Sequence, residues 1–166
     1  MIEHDRLGLA IGLGDPLVLA QMVEQFKEWR ASIIAVQEVP PEHTRRYGIV
    51  DGTPVSDRLL DLTRIVEKPA PENAPSNLGV AGRYILTPGV FHEIANQPRG
   101  VGGEIQLTDA IASLLRRQKV FAYHYEGTRY DCGCKQGFLE ATVHLALEHP
   151  ELGQGFRQFL QGLKLD

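Results

Sequence analysis

A carboxylate and an ammonium are neighbours in Ile65-Val66-Glu67-Lys68-Pro69, where an apolar strand pattern ends at a proline. A carboxylate can accept hydrogen bonds from sugar hydroxyls, and a lysine can lie against a phosphate as a point charge. Since neighbouring residues of a strand point to opposite faces, we expect no simple surface pair of Glu67 with Lys68, and one of them facing a cleft. The local pattern alone favours the alternative of a solvated strand end.

A second acidic residue, Asp131, lies in Tyr130-Asp131-Cys132-Gly133, at the end of a short strand pattern and close to a glycine. An aspartate in this position can hold Mg²⁺ together with water and phosphate oxygens, because hard oxygen ligands suit that ion. On spacing alone, the pattern favours instead a turn aspartate that caps the helix predicted from about Lys135.

The segment Gly103-Glu104-Ile105-Gln106-Leu107-Thr108-Asp109 joins a glycine-rich loop to an acidic helix start. Glycines permit a loop that closes over a ligand, but they also serve any tight turn. The six histidines show no metal-ligand spacing, so none of them is assigned a catalytic role.

Hydrophobic periodicity predicts the elements that must position these residues. Helices are expected to begin at Asp15-Pro16, Thr87-Pro88 and Thr108-Asp109 with side-chain caps, and two more span 138–147 and 155–163. Strands are predicted at 33–36, buried on both faces, and at 48–50, 59–66, 78–86, 120–125 and just before Asp131, with Asp51-Gly52 as a turn. This order indicates an α/β fold, a mixed sheet with flanking helices, and no boundary divides residues 1–166.

The 166 residues are 43% hydrophobic and carry a formal charge of -4, which is typical of a globular protein and argues against nucleic acid as a partner. No stretch approaches the ~20 apolar residues that cross a bilayer, so no membrane is expected. Cys132 and Cys134 are too close together for a framework disulfide, which favours a reducing, cytoplasmic compartment. Small molecules or proteins are the expected partners.

Several segments together resemble the C-terminal half of bacterial UTP:glucose-1-phosphate uridylyltransferases, from about Leu17 almost to the end of the chain. The matching segments are Ile34-Ala35-Val36-Gln37-Glu38-Val39-Pro40, Tyr47-Gly48-Ile49-Val50, Ile65-Val66-Glu67-Lys68-Pro69, Ser76-Asn77-Leu78-Gly79-Val80-Ala81-Gly82-Arg83-Tyr84-Ile85-Leu86, Gly102-Gly103-Glu104-Ile105-Gln106-Leu107-Thr108-Asp109-Ala110-Ile111 and Tyr130-Asp131-Cys132-Gly133. The resemblance implies the sugar-binding half of a doubly wound nucleotidyltransferase fold. It also implies Mg²⁺ as cofactor and the synthesis of UDP-glucose and pyrophosphate from UTP and glucose 1-phosphate.

The resemblance assigns a role to each matching position. The backbone of Gly48 and the carboxylate of Glu67 are expected to hold glucose hydroxyls. Lys68, the expected catalytic residue, neutralises the sugar phosphate, and Asp131 binds or supports Mg²⁺. Gly79 and Glu104 are expected near the sugar as further substrate-binding residues.

The family's nucleotide-cradling segment, with its Gly-rich loop, and its Leu-Pro-Asp-Asp stretch are absent from this sequence. We therefore expect this chain by itself not to bind UTP productively. A sheet without its first strands exposes edges and apolar surface, so a homo-oligomer is expected. Two alternatives stay open: a truncated paralogue that acts as a sugar-phosphate-binding or assembly module, and a transferase of the same class that uses dTTP or ATP.

Overall fold

A computed structural model describes residues 10–11, 17–100 and 103–164 of the chain. The chain divides into two compact units: the larger contains the described residues from 17 to 127, and the smaller contains 10–11 and 128–164. The expectation of a single domain over residues 1–166 stays a prediction. In the described part of the chain, no helix is long and apolar enough to cross a membrane.

The described residues of the larger unit form three α-helices and five strands, with four strands in succession between the first and second helices. In chain order, its elements are α1 (Val18–Trp29), β2 (Ser32–Glu38), β3 (Gly48–Pro54), β4 (Leu59–Glu67), β5 (Leu78–Ile85), α2 (Gly89–Asn96), α3 (Leu107–Leu114) and β6 (Val120–His124), with 3-10 helices at Pro41–Arg46 and Pro71–Asn73. Their positions confirm the predicted elements of this part of the chain to within a few residues.

The five strands form one sheet in the order β2-β5-β3-β4-β6, and β6 pairs with β2 so that the sheet closes on itself. β2 and β6 run parallel, and the other four pairs of described strands are antiparallel. The sheet is therefore mixed, as the sequence predicts. β3 and β4 pair along most of their length, which brings the first residue of β3, Gly48, opposite the last residue of β4, Glu67.

β2 is buried on both faces, as predicted from its apolar run. Successive residues of a strand point to opposite faces, so Ile34 and Val36 pack into one core cluster with Ile111 and Leu114 of α3. Ile33 and Ala35 pack into a second cluster, which includes Val18 and Met22 of α1. Helices on the two faces of β2 thus give the larger unit two cores.

Three details of the local prediction differ from the structure. Asp51-Gly52 is not a turn but lies inside β3 at a register shift, and the chain reverses at residues 55–58. A Cβ at Gly52 would lie 2.5 Å from the Asp61 carbonyl oxygen, so the absence of a side chain allows the two strands to approach closely.

Thr87 and Thr108 do not cap the helices that they were predicted to begin. The N-cap residues of α2 and α3 are Pro88 and Gln106, and neither makes a side-chain cap hydrogen bond. Asp15-Pro16 lies outside the described residues.

The smaller unit contains a two-stranded antiparallel sheet, β1 (Ala10–Ile11) with β7 (Thr128–Arg129), and the helices α4 (Lys135–Glu148) and α5 (Gly153–Gly162). α4 ends just before Pro150, as predicted, because proline cannot continue a helix. α5 begins two residues earlier than predicted.

Candidate functional site

Gly48 and Glu67 form a cross-strand pair at one end of the β3–β4 ladder. A Cβ built on Gly48 would lie 3.5 Å from Oε2 of Glu67 and 3.3 Å from Oγ1 of Thr108. A side chain at position 48 would therefore be tight against the Thr108 hydroxyl and in contact with the Glu67 carboxylate. The glycine keeps its backbone directly beside the Glu67 carboxylate. The predicted role of both residues in holding glucose hydroxyls stays a prediction.

The hydroxyl of Thr108 donates a hydrogen bond of 2.7 Å to Oε2 of Glu67. Thr108 lies in the first turn of α3 and is only 9% exposed, and the Glu67 side chain is 13% exposed. The sequence predicts Thr108 as a helix cap, whereas the structure uses its side chain to hold the carboxylate. The sequence signal for Thr108 was its place in the segment of residues 103–109, which also contains Glu104.

Lys68 lies on the same side of the chain as Glu67, contrary to the expectation of opposite faces. Its Nζ is 3.4 Å from Oε1 of Glu67, and 42% of its side chain is exposed. The expectation is wrong because β4 ends at Glu67 and Lys68 turns away with φ +44°, in the left-handed region. The Lys68 amide still donates to the Tyr47 carbonyl at 3.0 Å, which fixes this turn.

The negative charge of Glu67 also acts on the phenol of Tyr84. Its pKa is raised to about 12, first by burial and second by the negative charge of Glu67. Both effects disfavour the phenolate, so Tyr84 carries its proton at neutral pH. The sequence places Tyr84 in a segment that resembles the family, but gives it no role.

The other two predicted substrate-binding residues of the larger unit have different surroundings. Gly79 pairs with Ile49 and Gln37 in the sheet. A Cβ at this position would lie 2.9 Å from Cγ1 of Val39, so the absence of a side chain permits close packing. Glu104 is exposed, and its carbonyl accepts the Gly100 amide at 2.7 Å in the loop before α3. Their predicted roles stay predictions.

Asp131 belongs to the smaller unit, in the turn between β7 and α4. Its Oδ1 accepts the Gly133 amide at 3.1 Å, and its carbonyl accepts the Cys134 amide at 3.1 Å. The residue that caps α4 is Cys134, whose Sγ accepts the Gly137 amide at 3.3 Å. The capping alternative for Asp131 is therefore wrong, although the residue does shape the turn that leads into the helix.

Asp131 is one carboxylate, and a bound cation needs several ligands. Within residues 10–11, 17–100 and 103–164, no group of three His, Cys, Asp or Glu side chains could hold a metal ion. These residues alone therefore do not build a complete Mg²⁺ site. The prediction of Mg²⁺ at Asp131 requires water and phosphate oxygens as the remaining ligands.

Residues 13–148 match the sequence profile of the family described as Nucleotidyl transferase. Two similar curated proteins are both named UTP--glucose-1-phosphate uridylyltransferase. The Staphylococcus epidermidis protein is 41% identical over 162 residues, covering 94% of this chain and 56% of the relative. The Bacillus subtilis protein is 44% identical over 160 residues, covering 93% of this chain and 55% of the relative.

The fold is similar to that of a UDP-glucose pyrophosphorylase whose crystal structure contains UDP-glucose. The TM-score is 0.80 at 38% sequence identity, and the likeness covers 85% of this chain and 53% of that one. These comparisons confirm the family resemblance and the α/β nucleotidyltransferase fold predicted from the sequence. The chain spans just over half the length of the relatives that it matches.

Proposed function

Since the chain belongs to the nucleotidyl transferase family, we propose that it forms the sugar 1-phosphate site of a UTP:glucose-1-phosphate uridylyltransferase. The observation that carries this proposal is the cluster at the end of β4, where a glycine backbone, a carboxylate and an ammonium meet. These are the groups that a phosphorylated sugar requires. The chain spans only 56% of the Staphylococcus epidermidis relative. The complete transfer reaction is therefore part of the proposal and is not assigned to these residues alone.

The sugar hydroxyls are assigned to Glu67 and Gly48. One Glu67 oxygen accepts the Thr108 hydroxyl, which leaves the remaining lone pairs of the carboxylate to accept hydrogen bonds from a ligand. A carboxylate makes stronger hydrogen bonds than a neutral acceptor does. The absence of a side chain at Gly48 lets a sugar ring approach the sheet beside this carboxylate.

The sugar phosphate is assigned to Lys68. In the reaction, an oxygen of glucose 1-phosphate attacks the α-phosphorus of UTP, the new O–P bond forms, and the bond to the β-phosphate breaks to release pyrophosphate. No enzyme nucleophile takes part, so catalysis consists of positioning the reactants and neutralising charge. The Lys68 ammonium would offset the charge of the attacking phosphate while Glu67 orients the sugar.

Nucleotidyltransferases commonly use a divalent metal, and we propose that Asp131 helps to hold Mg²⁺. When bound, Mg²⁺ would supply charge neutralisation of phosphate oxygens. Since the described residues offer one carboxylate there, no step of the reaction is assigned to the metal.

Isothermal titration of the purified chain with glucose 1-phosphate, UDP-glucose and UTP, each with Mg²⁺, tests this function. We expect both sugar ligands to bind, and Glu67→Gln to weaken them about tenfold or more, because sugar hydroxyls lose a charged acceptor. UTP is expected to give no response. Asp61→Asn is the matched control, since it makes the same chemical change on the same strand at a surface ion pair with Lys119.

Two results would count against the proposal. Equal affinities in the wild type and in Glu67→Gln would show that this carboxylate does not hold the sugar. A loss in Asp61→Asn as large as that in Glu67→Gln would show that the effect comes from general damage to β4.

An assembly role is the second candidate, and exposed apolar side chains of the smaller unit favour it. Phe138 on α4 and Phe159 on α5 are 57% and 59% exposed, and Leu139 lies beside Phe138. Apolar surface of this kind usually associates with another chain, so we propose a homo-oligomer. The free thiols of Cys132 and Cys134 support the proposal of a reducing, cytoplasmic compartment.

A further inference from the structure

The two oxygens of the Glu67 carboxylate have different surroundings. Oε2 accepts the Thr108 hydroxyl at 2.7 Å and lies where a Cβ on Gly48 would come within 3.5 Å of it. Oε1 lies 3.4 Å from Nζ of Lys68. Oε2 is therefore hydrogen-bonded to a residue of α3 and lies close to Gly48, and Oε1 lies near the Lys68 ammonium.

A hydrogen bond to one oxygen and a cation at the other fix the plane of a carboxylate. In a helix, a threonine side chain has two common rotamers, and the 2.7 Å hydrogen bond to Glu67 selects the one whose hydroxyl faces the carboxylate. The hydroxyl has a single proton, and that proton is used for Glu67. Glu67 thus presents its remaining lone pairs along a fixed direction.

We propose that Thr108 is a positioning residue that sets the selectivity of this site among hexose 1-phosphates, because its hydroxyl fixes the direction in which Glu67 accepts a sugar hydroxyl. This inference rests on the proposed function. A fixed acceptor rejects an epimer whose hydroxyl points elsewhere, since the partly buried carboxylate is then left without its ligand partner. An acceptor that can swing follows the misplaced hydroxyl and discriminates less.

The test compares Thr108→Val, which keeps the shape and removes the donor, with Thr108→Ser, which keeps the donor. Titrations use glucose 1-phosphate and its epimers at C4 and C2, galactose 1-phosphate and mannose 1-phosphate. In Thr108→Val, we expect affinity for glucose 1-phosphate to fall about tenfold, and its preference over the better-bound epimer to fall about fivefold. Thr108→Ser is expected to stay within about twofold of the wild type on both measures.

Three results would overturn the positioning role. Thr108→Val could bind all three sugars like the wild type, it could weaken all three equally, or the serine variant could behave like the valine variant. Equal weakening is the result that a purely structural threonine would give. If the valine variant does not fold, Thr108→Ala takes its place, with thermal unfolding recorded for every variant.

Glu67→Gln separates a failure of this inference from a failure of the proposed function. Weaker binding in Glu67→Gln with unchanged selectivity in Thr108→Val overturns the inference alone. A wild type that binds none of the three sugars overturns the proposed function and the selectivity role together.

The ¹³C chemical shift of the Glu67 carboxyl carbon, measured without ligand, then reports separately on the hydrogen bond. It is expected to move in Thr108→Val and to return in Thr108→Ser. An unmoved resonance would show that Thr108 does not position the carboxylate at all.

Discussion

The Tyr84 phenol links the candidate site to the stability of the larger unit. Its pKa is raised to about 12, so the unfolded chain, with an ordinary phenol pKa near 10, loses this proton first as the pH rises. The contribution of Tyr84 to stability is therefore fully present below about pH 10 and is lost as the pH rises towards 12.

For the wild type, we expect this phenol to remove about 1 kcal/mol of unfolding free energy per pH unit between about pH 10 and 12. Tyr84→Phe lacks the phenol, so its unfolding free energy is expected to fall less steeply in urea titrations between about pH 9 and 11. In Glu67→Gln, the absorbance of the Tyr84 phenolate should appear at lower pH than in the wild type, since the second cause of the shift is removed. Identical slopes for wild type and Tyr84→Phe would contradict this account.

The residues of the site differ in how far the sequence could predict them. Glu67, Lys68 and Gly48 belong to short segments that the family resemblance identifies, and the structure brings these three together. Thr108 lies 41 positions from Glu67, and their contact depends on how α3 packs against the sheet. No local pattern contains that information, so the threonine could only be interpreted as a helix cap.

At the scale of secondary structure elements, the close approach of β3 to β4 at Gly52 can be tested by one substitution. Gly52→Ala would place a Cβ 2.5 Å from the Asp61 carbonyl oxygen, against backbone that cannot give way easily. We expect a loss of about 1–3 kcal/mol in unfolding free energy, measured by urea denaturation. Gly155→Ala is the control: nothing lies within 4 Å of its Cβ position in α5, and alanine there should stabilise by about 0.5–1 kcal/mol. A neutral Gly52→Ala would mean that β3 and β4 can separate without cost.

The same element shows why one local prediction was wrong. Asp51-Gly52 between apolar residues is a strong hairpin signal, because glycine permits turn conformations. Here β3 continues through both residues, and the register against β4 shifts between them. A register shift is a property of two strands, so the sequence of one strand does not reveal it. By contrast, β2 was predicted correctly, since its continuous apolar run reports burial on both faces directly.

For the whole molecule, self-association is the property that the sequence predicts and that solution experiments must decide. We expect the sedimentation coefficient of the wild type to rise with concentration, and Phe138→Glu with Phe159→Glu to reduce that rise, since a charge opposes burial of the helix surface. Phe91→Glu on α2 is the matched control, because Phe91 is 71% exposed but belongs to the larger unit. A wild type that sediments as a monomer at every concentration would contradict the homo-oligomer.

The backbone at Lys68 has a consequence for protein engineering. A non-glycine residue with φ +44° ahead of a proline costs about 1–3 kcal/mol, and glycine would relieve that cost. A search for stabilising substitutions would therefore favour glycine at this position and, with it, remove the ammonium beside Glu67. On the proposed role of Lys68, variants chosen for heat resistance alone would lose affinity for the sugar phosphate, so a library built on this fold should keep Lys68 unchanged.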